Sequence, residues 1–300
     1  MCFTKISFGF LWAVSRVAFG QQDDFDDGDD LGWMRVDLLG DLGAGEITSF
    51  QSADGEYRIK GGESPSPSEV GPSRGAAFRS EVIYESDFFV SVDLVNFQDS
   101  IRQAIGLLSL VQPNPSLGTV SGYSLNYQPE ENDFIINLVE NEVPIRLGVT
   151  TLSKDPGDEP LRLIFEGRNG VLKGRLFLRS DLTEPLATIE VFDLTYTSGI
   201  AGLFVFSDTD DGSGGTDATF DNYVANGHTM PLLDMRVEGD LAQVSWPDWA
   251  VDFHLEESTN LKAQEWTAVA WSGIARKERR FVWEGESSNR SSRFFRLSEN

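Results

Sequence analysis

The side chains able to do chemistry in this chain are mostly carboxylates: 48 Asp and Glu stand against 24 Lys and Arg, with two His and one Cys in 300 residues. Grouped carboxylates hold hard cations or, in pairs, serve as acid and base. The stretch QQDDFDDGDDLGW at 21–33 carries six aspartates between Asp23 and Asp30. An EF-type calcium loop wants acids at positions one, three and five and glycine at six. With Gly28 at six, Phe25 falls at three; with Gly212 at six, Ser207 falls at one. Neither stretch has the register. Oxygens from separate strands remain an option, because Ca2+ takes about six to eight ligands and needs no single loop. The alternative is a solvated acidic edge that discourages edge-to-edge pairing, with Phe25 and Trp33 as apolar anchors to the sheet. On both readings the stretch belongs to a folded domain.

Nucleophilic chemistry finds little here. His228 and His254 are the only histidines, and Cys2 is the only thiol. Two isolated histidines make a poor zinc site. GSGGTD at 212–217 lacks the GK[ST] of a phosphate loop and reads as a flexible connection. A net charge of −24 repels phosphate backbones and anionic lipid, which argues against nucleic acid and charged membranes as partners.

The elements that must position these groups are strands. AAFRSEVIYES, DFFVSVDLVNF, VSGYSLNYQ, DFIINLVE, LRLIFEG, VLKGRLFLR and AGLFVFS are short, rich in β-branched and aromatic residues, and separated by turns. Phe88, Val90, Val92 and Leu94 alternate with Phe89, Ser91 and Asp93, a period of two that sets one face on a core. SIRQAIGLLSL is the nearest rival for a helix, and strand is favoured there. Asn169-Gly170 and Asp54-Gly55 predict hairpins. GGESPSPSEVGPSRG, residues 61–75, is a polar loop that cannot be a strand interior. Helix content is expected to be near zero.

At the start, a basic Lys5, the apolar ISFGFLWAV and Ala18-Phe19-Gly20 predict a signal peptide over 1–20, cut after Gly20. Loss of Lys5 and Arg16 leaves 22 basic against 48 acidic residues, or −26, and no cysteine. The apolar stretch is too short to span a bilayer, so an exported chain without a membrane span is expected. A boundary falls near NGHTMP, 226–231. Beyond it, 231–300 holds five of the seven tryptophans, which predicts a small sandwich of about six or seven strands with tryptophans in its core.

The front region, 23–226, resembles the concanavalin-like or LamG-like jelly-roll superfamily, nearest to bacterial members related to keto-disaccharide hydrolases. DDFDDGDDLGW, SDFFVSVDL, SGYSLNY and GIAGLFVFSDTDDGSGGTDATFDNYVANG carry the likeness. The tail, through VSWPD, FHLEESTNL, WTAV and SSRFFRL, resembles a C-terminal β module of exported proteins from Verrucomicrobia. The resemblance implies an all-β architecture, a concanavalin-like jelly-roll β-sandwich followed by a small C-terminal β-sandwich. It brings the first and last strands together, placing Asp24 and Asp26 near Asp221 as candidate ligands of a structural Ca2+.

Glycoside cleavage needs two carboxyls about 5–9 Å apart. Jelly-roll endoglucanases keep theirs as E-x-D-x-x-E on one strand, and neither EVIYESD at 81–87 nor ENEV at 140–143 matches. Carbohydrate binding asks only for aromatic faces and fixed polar groups. Tyr123 and Tyr127 in SGYSLNYQ share a face with Leu125. If that face is concave they are stacking candidates, with Arg79 and Asp93 as polar neighbours; if it is the inner face they are core. The expected function is non-catalytic binding of a glycan or cell-surface ligand. A structural or adhesive envelope role and a hydrolase of unfamiliar layout are the alternatives.

Overall fold

The computed structural model describes residues 20–299 except 41–46, 99, 228–230, 232, 239–240, 260–264, 278–279 and 287–292. Residues 1–19 of the expected signal peptide, with Cys2, and also His228 lie outside the described residues. In chain order the first strands are β1 (Gln21–Asp23), β2 (Trp33–Val36), β3 (Thr48–Ala53), β4 (Glu56–Gly61), β5 (Arg74–Glu85), β6 (Phe88–Phe97), β7 (Gln103–Val111) and β8 (Gly122–Gln128). They continue as β9 (Asp133–Glu140), β10 (Val143–Thr151), β11 (Leu161–Arg168), β12 (Val171–Leu178), β13 (Ala187–Phe192), β14 (Ser198–Ser207) and β15 (Thr216–Gly227). Two sheets form, one in the order β13-β12-β11-β6-β15-β4-β3 with β1 also on β15, the other β10-β9-β8-β7-β14-β5-β2. Paired strands are antiparallel throughout, so the protein is an all-β sandwich.

Alternation builds the core between these sheets. Phe88, Val90, Val92 and Leu94 of β6 are buried there with Leu107, Leu125, Leu163, Phe165 and Phe220. SIRQAIGLLSL becomes strand β7, since every residue from Gln103 to Val111 is buried and a two-sided strand has no need of helical spacing. Asn169-Gly170 and Asp54-Gly55 take the positive φ values their hairpins require. One helical turn, Pro67–Val70, occurs inside the polar loop at 61–75, where proline sits at the helix start and its missing N–H costs nothing.

The aspartate-rich start is folded. β1 pairs with β15, with Asp23 opposite Tyr223. Phe25 and Trp33 anchor the segment, Phe25 stacking on Tyr57 with ring centres 5.0 Å apart. The Phe25 N–H donates to Asp23 Oδ1 at 2.9 Å and the Trp33 indole N–H to Asp23 Oδ2 at 2.8 Å.

A second, smaller set of strands follows: β16 (Asp234–Glu238), β17 (Leu241–Pro247), β18 (Phe253–Ser258), β19 (Thr267–Ala268), β20 (Ile274–Lys277), β21 (Arg280–Glu286) and β22 (Phe294–Glu299). They form the sheets β16-β17-β21-β20 and β19-β18-β22. Trp246 and Trp283 are buried in this module, with Trp249 and Trp271 packed against the same cluster.

That cluster does not belong to the module alone. It includes Phe89, Ile164, Phe177, Leu182 and Val224 from the large sandwich, and Trp249 lies 4.9 Å from the Phe89 ring. The module therefore covers the outer face of the eight-stranded sheet, and β6 is buried on both faces where alternation predicts only one. Within this junction the charges alternate as a chain: Asp221, Arg179, Asp93, Arg162, Asp248, Arg276. The separations are 3.3 Å for Arg179–Asp221, 3.0 Å for Arg179–Asp93, 2.5 Å for Arg162–Asp93, 3.5 Å for Arg162–Asp248 and 2.6 Å for Arg276–Asp248. Burial opposes the Arg162 charge, but Asp93 and Asp248 outweigh it and raise its pKa.

Candidate functional site

Tyr123 and Tyr127 lie on the inner face of the seven-stranded sheet and are almost fully buried. Tyr123 donates its hydroxyl to Asp193 Oδ1 at 2.5 Å, and Tyr127 donates to Asn132 Oδ1 at 2.8 Å. The expectation that they stack on a ligand is corrected: Leu125 lies between them, and the strand period turns all three toward the core. Arg79 is engaged with Asp23 at 3.2 Å and lies over the Trp33 ring at the N-terminal anchor. Asp93 is sealed beneath the C-terminal module, on the other sheet. The four residues do not form one site.

The candidate calcium ligands also part company. β1 and β15 are neighbours as expected, but the Asp221 carboxylate faces the Arg179 guanidinium and accepts from the Asn222 side-chain amide at 2.6 Å. Asp24 accepts the Asp26 N–H at 3.4 Å, while Asp26 is exposed. Among the described residues no group of three His, Cys, Asp or Glu is arranged to hold a metal ion. A guanidinium beside Asp221 disfavours a cation there, so this trio does not fit the ion. Asp221→Asn is expected to cost about 1 kcal/mol through its lost ion pair, equally with calcium or with chelator in a melting experiment. A calcium-dependent rise in Tm that the substitution abolishes would restore the trio as a site.

The polar half of SGYSLNYQ points the other way. Ser124, Asn126 and Gln128 project from the outer face of the seven-stranded sheet; Ser124 and Asn126 stand opposite Leu108 and Gly106 on β7, and all three stand opposite Asn137, Ile135 and Asp133 on β9. They line a cavity of about 190 Å3 with Asn137, Phe204, Phe206 and Asp208. The Asn137 amide donates to Ser124 Oγ at 3.1 Å and to Asn126 Oδ1 at 2.9 Å; the Gln128 amide donates to Asp208 Oδ2 at 2.6 Å. Gly106 stands between Asn126 and Phe204 in the register, so no side chain rises there. A Cβ on Gly106 would come within 2.0 Å of the Leu125 carbonyl oxygen, which leaves glycine as the residue this strand pair accepts.

Phe204 and Phe206 are half-buried neighbours on β14 and flank these amides with partly exposed rings. Burial and the nearby Glu131 carboxylate raise the Asp208 pKa, against the pull of Arg102 and Arg146. Much of the same outer face is filled by an apolar cluster of Val36, Leu38, Phe78, Leu108, Val120 and Leu117, so the cavity is what remains open. Sequence reasoning followed the tyrosines and passed over this site. Its signal was present: three polar residues alternating with apolar ones on a strand whose every position is buried.

No protein-family model matches the chain, and no curated protein matches it. Solved structures do. The carbohydrate-binding module CBM66 from Bacillus subtilis aligns at 15% identity and a TM-score of 0.46, over 65% of this chain and 95% of its own. A prokaryotic β-1,3-1,4-glucanase (lichenase) from a mouse hindgut metagenome aligns at 13% and 0.49, over 69% and 99%. The exoplasmic/lumenal domain of VIP36, in its Ca2+/Man3GlcNAc-bound form, aligns at 11% and 0.48, over 70% and 89%. The likeness is one of architecture alone, a β-sandwich of two antiparallel sheets. Among the described residues no helix is long and apolar enough to cross a membrane.

Proposed function

We propose that the chain is an exported, non-catalytic carbohydrate-binding protein that holds its glycan in the cleft on the outer face of the seven-stranded sheet. The observation that carries this reading is the row Ser124, Asn126, Gln128 and Asn137 set beside the rings of Phe204 and Phe206. A pyranose presents apolar C–H faces and a rim of hydroxyls, and amides both donate to and accept from such hydroxyls. The aromatic rings supply the apolar contact. Fold analogy adds an association and no mechanism.

A glycan array followed by titration of any hit tests the reading. Asn126→Ala and Phe204→Ala are each expected to weaken binding about tenfold or more, the equivalent of roughly 1.4 kcal/mol. Binding without release of reducing sugar supports a binding module, and release that both substitutions abolish would make it a hydrolase. Silence on every glycan favours a structural role in the envelope.

A further inference from the structure

Two cleft residues meet that the sheet order keeps apart. Arg74 opens β5, and Glu142 lies in the turn between β9 and β10, with β14, β7 and β8 ranked between those strands. Even so, Arg74 Nε donates to Glu142 Oε2 at 2.8 Å, with a second guanidinium nitrogen at 2.7 Å. Both residues line the cavity, so the pair bridges the sheet on the side where the cavity opens. Each end is tied down. The other arm of Arg74 donates to the carbonyls of Val70 at 3.0 Å and Pro72 at 2.8 Å, and Glu142 Oε1 accepts the Gly118 N–H at 2.5 Å.

The turn itself supports a role for the bridge. Asn141 and Glu142 have φ of 51° and 69°, the left-handed pair of a two-residue hairpin in which the second position favours glycine. A glutamate held there is a strained residue at a candidate site, a pattern that points to function. The cavity of about 190 Å3 is also smaller than the roughly 300–1,000 Å3 of sites for drug-sized ligands.

We propose that the Arg74–Glu142 pair is a strap across the cleft that sets ligand size, admitting the terminal unit of a saccharide and blocking a continuous chain. This rests on the glycan-binding reading above. In it, Glu142 is a specificity-determining residue, acting by closing the cleft.

The test is calorimetric titration of the full chain with di- and hexasaccharides of glucose, mannose, xylose and fructose. The wild type is expected to bind a disaccharide and its hexasaccharide with similar affinity, one protein per chain. Glu142→Gly removes the strap yet gives the hairpin its favoured Asn-Gly sequence, so folding is expected to survive; Glu142→Gln, which drops only the charge, is the second variant. In Glu142→Gly the hexasaccharide is expected to gain about tenfold over the disaccharide. A wild type that already prefers the hexasaccharide tenfold, or a preference left unchanged in both variants, overturns the strap and leaves glycan binding standing. No binding of any sugar by wild type or variants overturns both readings.

Discussion

Asp93→Asn is expected to lower the thermal midpoint by on the order of 10 °C, a large loss for a substitution that changes the shape of the side chain very little. Asp93 is fully buried and accepts from Arg162 at 2.5 Å, Arg179 at 3.0 Å and the Asn222 amide at 3.0 Å. Without its charge, buried Arg162 retains Asp248, at 3.5 Å, as its acidic partner among the described residues. Stranding one member of a buried pair costs about 3–5 kcal/mol, and each kcal/mol moves the midpoint by roughly 2–4 °C in chains somewhat shorter than this one. Replacing both partners, as Asp93→Leu with Arg162→Met, is expected to cost much less. No charge is then stranded: Arg179 keeps Asp221, and Asp248 keeps Arg276. Scanning calorimetry on the three proteins checks this. A loss below about 1 kcal/mol for Asp93→Asn would mean that water screens the junction as it does a surface pair.

Trp246→Ala is the second large effect, at about 3–5 kcal/mol from the cavity left by a fully buried indole. Its ring sits 5.6 Å from Phe281 and 6.3 Å from Trp271. The cluster around it also contains Phe89, Ile164 and Val224 of the large sandwich, so the loss is expected within a single transition shared by both sets of strands. Near-ultraviolet circular dichroism follows the tryptophans and far-ultraviolet the strands. If the two signals melt at separate temperatures in the variant or the wild type, the module is an independent unit.

The strands were legible because their signal is local. Alternation in DFFVSVDL and the Asn-Gly and Asp-Gly turns depend on neighbours along the chain, and β6, β11 and β12 lie where those signals put them. Phe25 and Trp33 as anchors were equally readable, since two large apolar residues in an acidic stretch have few other uses. The site was harder because a period of two divides SGYSLNYQ into two faces without naming either one. Aromatic residues drew the reading toward Tyr123 and Tyr127, whereas the polar face carried Asn126 and Gln128. The contact between Arg74 and Glu142 was out of reach, since three intervening strands separate residues whose spacing in sequence means nothing. Asp93 misled for a related reason: nothing along β6 tells that a later segment returns to bury it.

The covering of the eight-stranded sheet by the C-terminal strands puts a handle on one side of the molecule and the open cleft on the other. The last strand, Phe294–Glu299, belongs to the module, whereas the cleft opens on the outer face of the opposite sheet. A support, a fusion partner or a neighbouring surface attached to the C-terminal strands would thus lie behind the sandwich, with the cleft turned outward to whatever approaches.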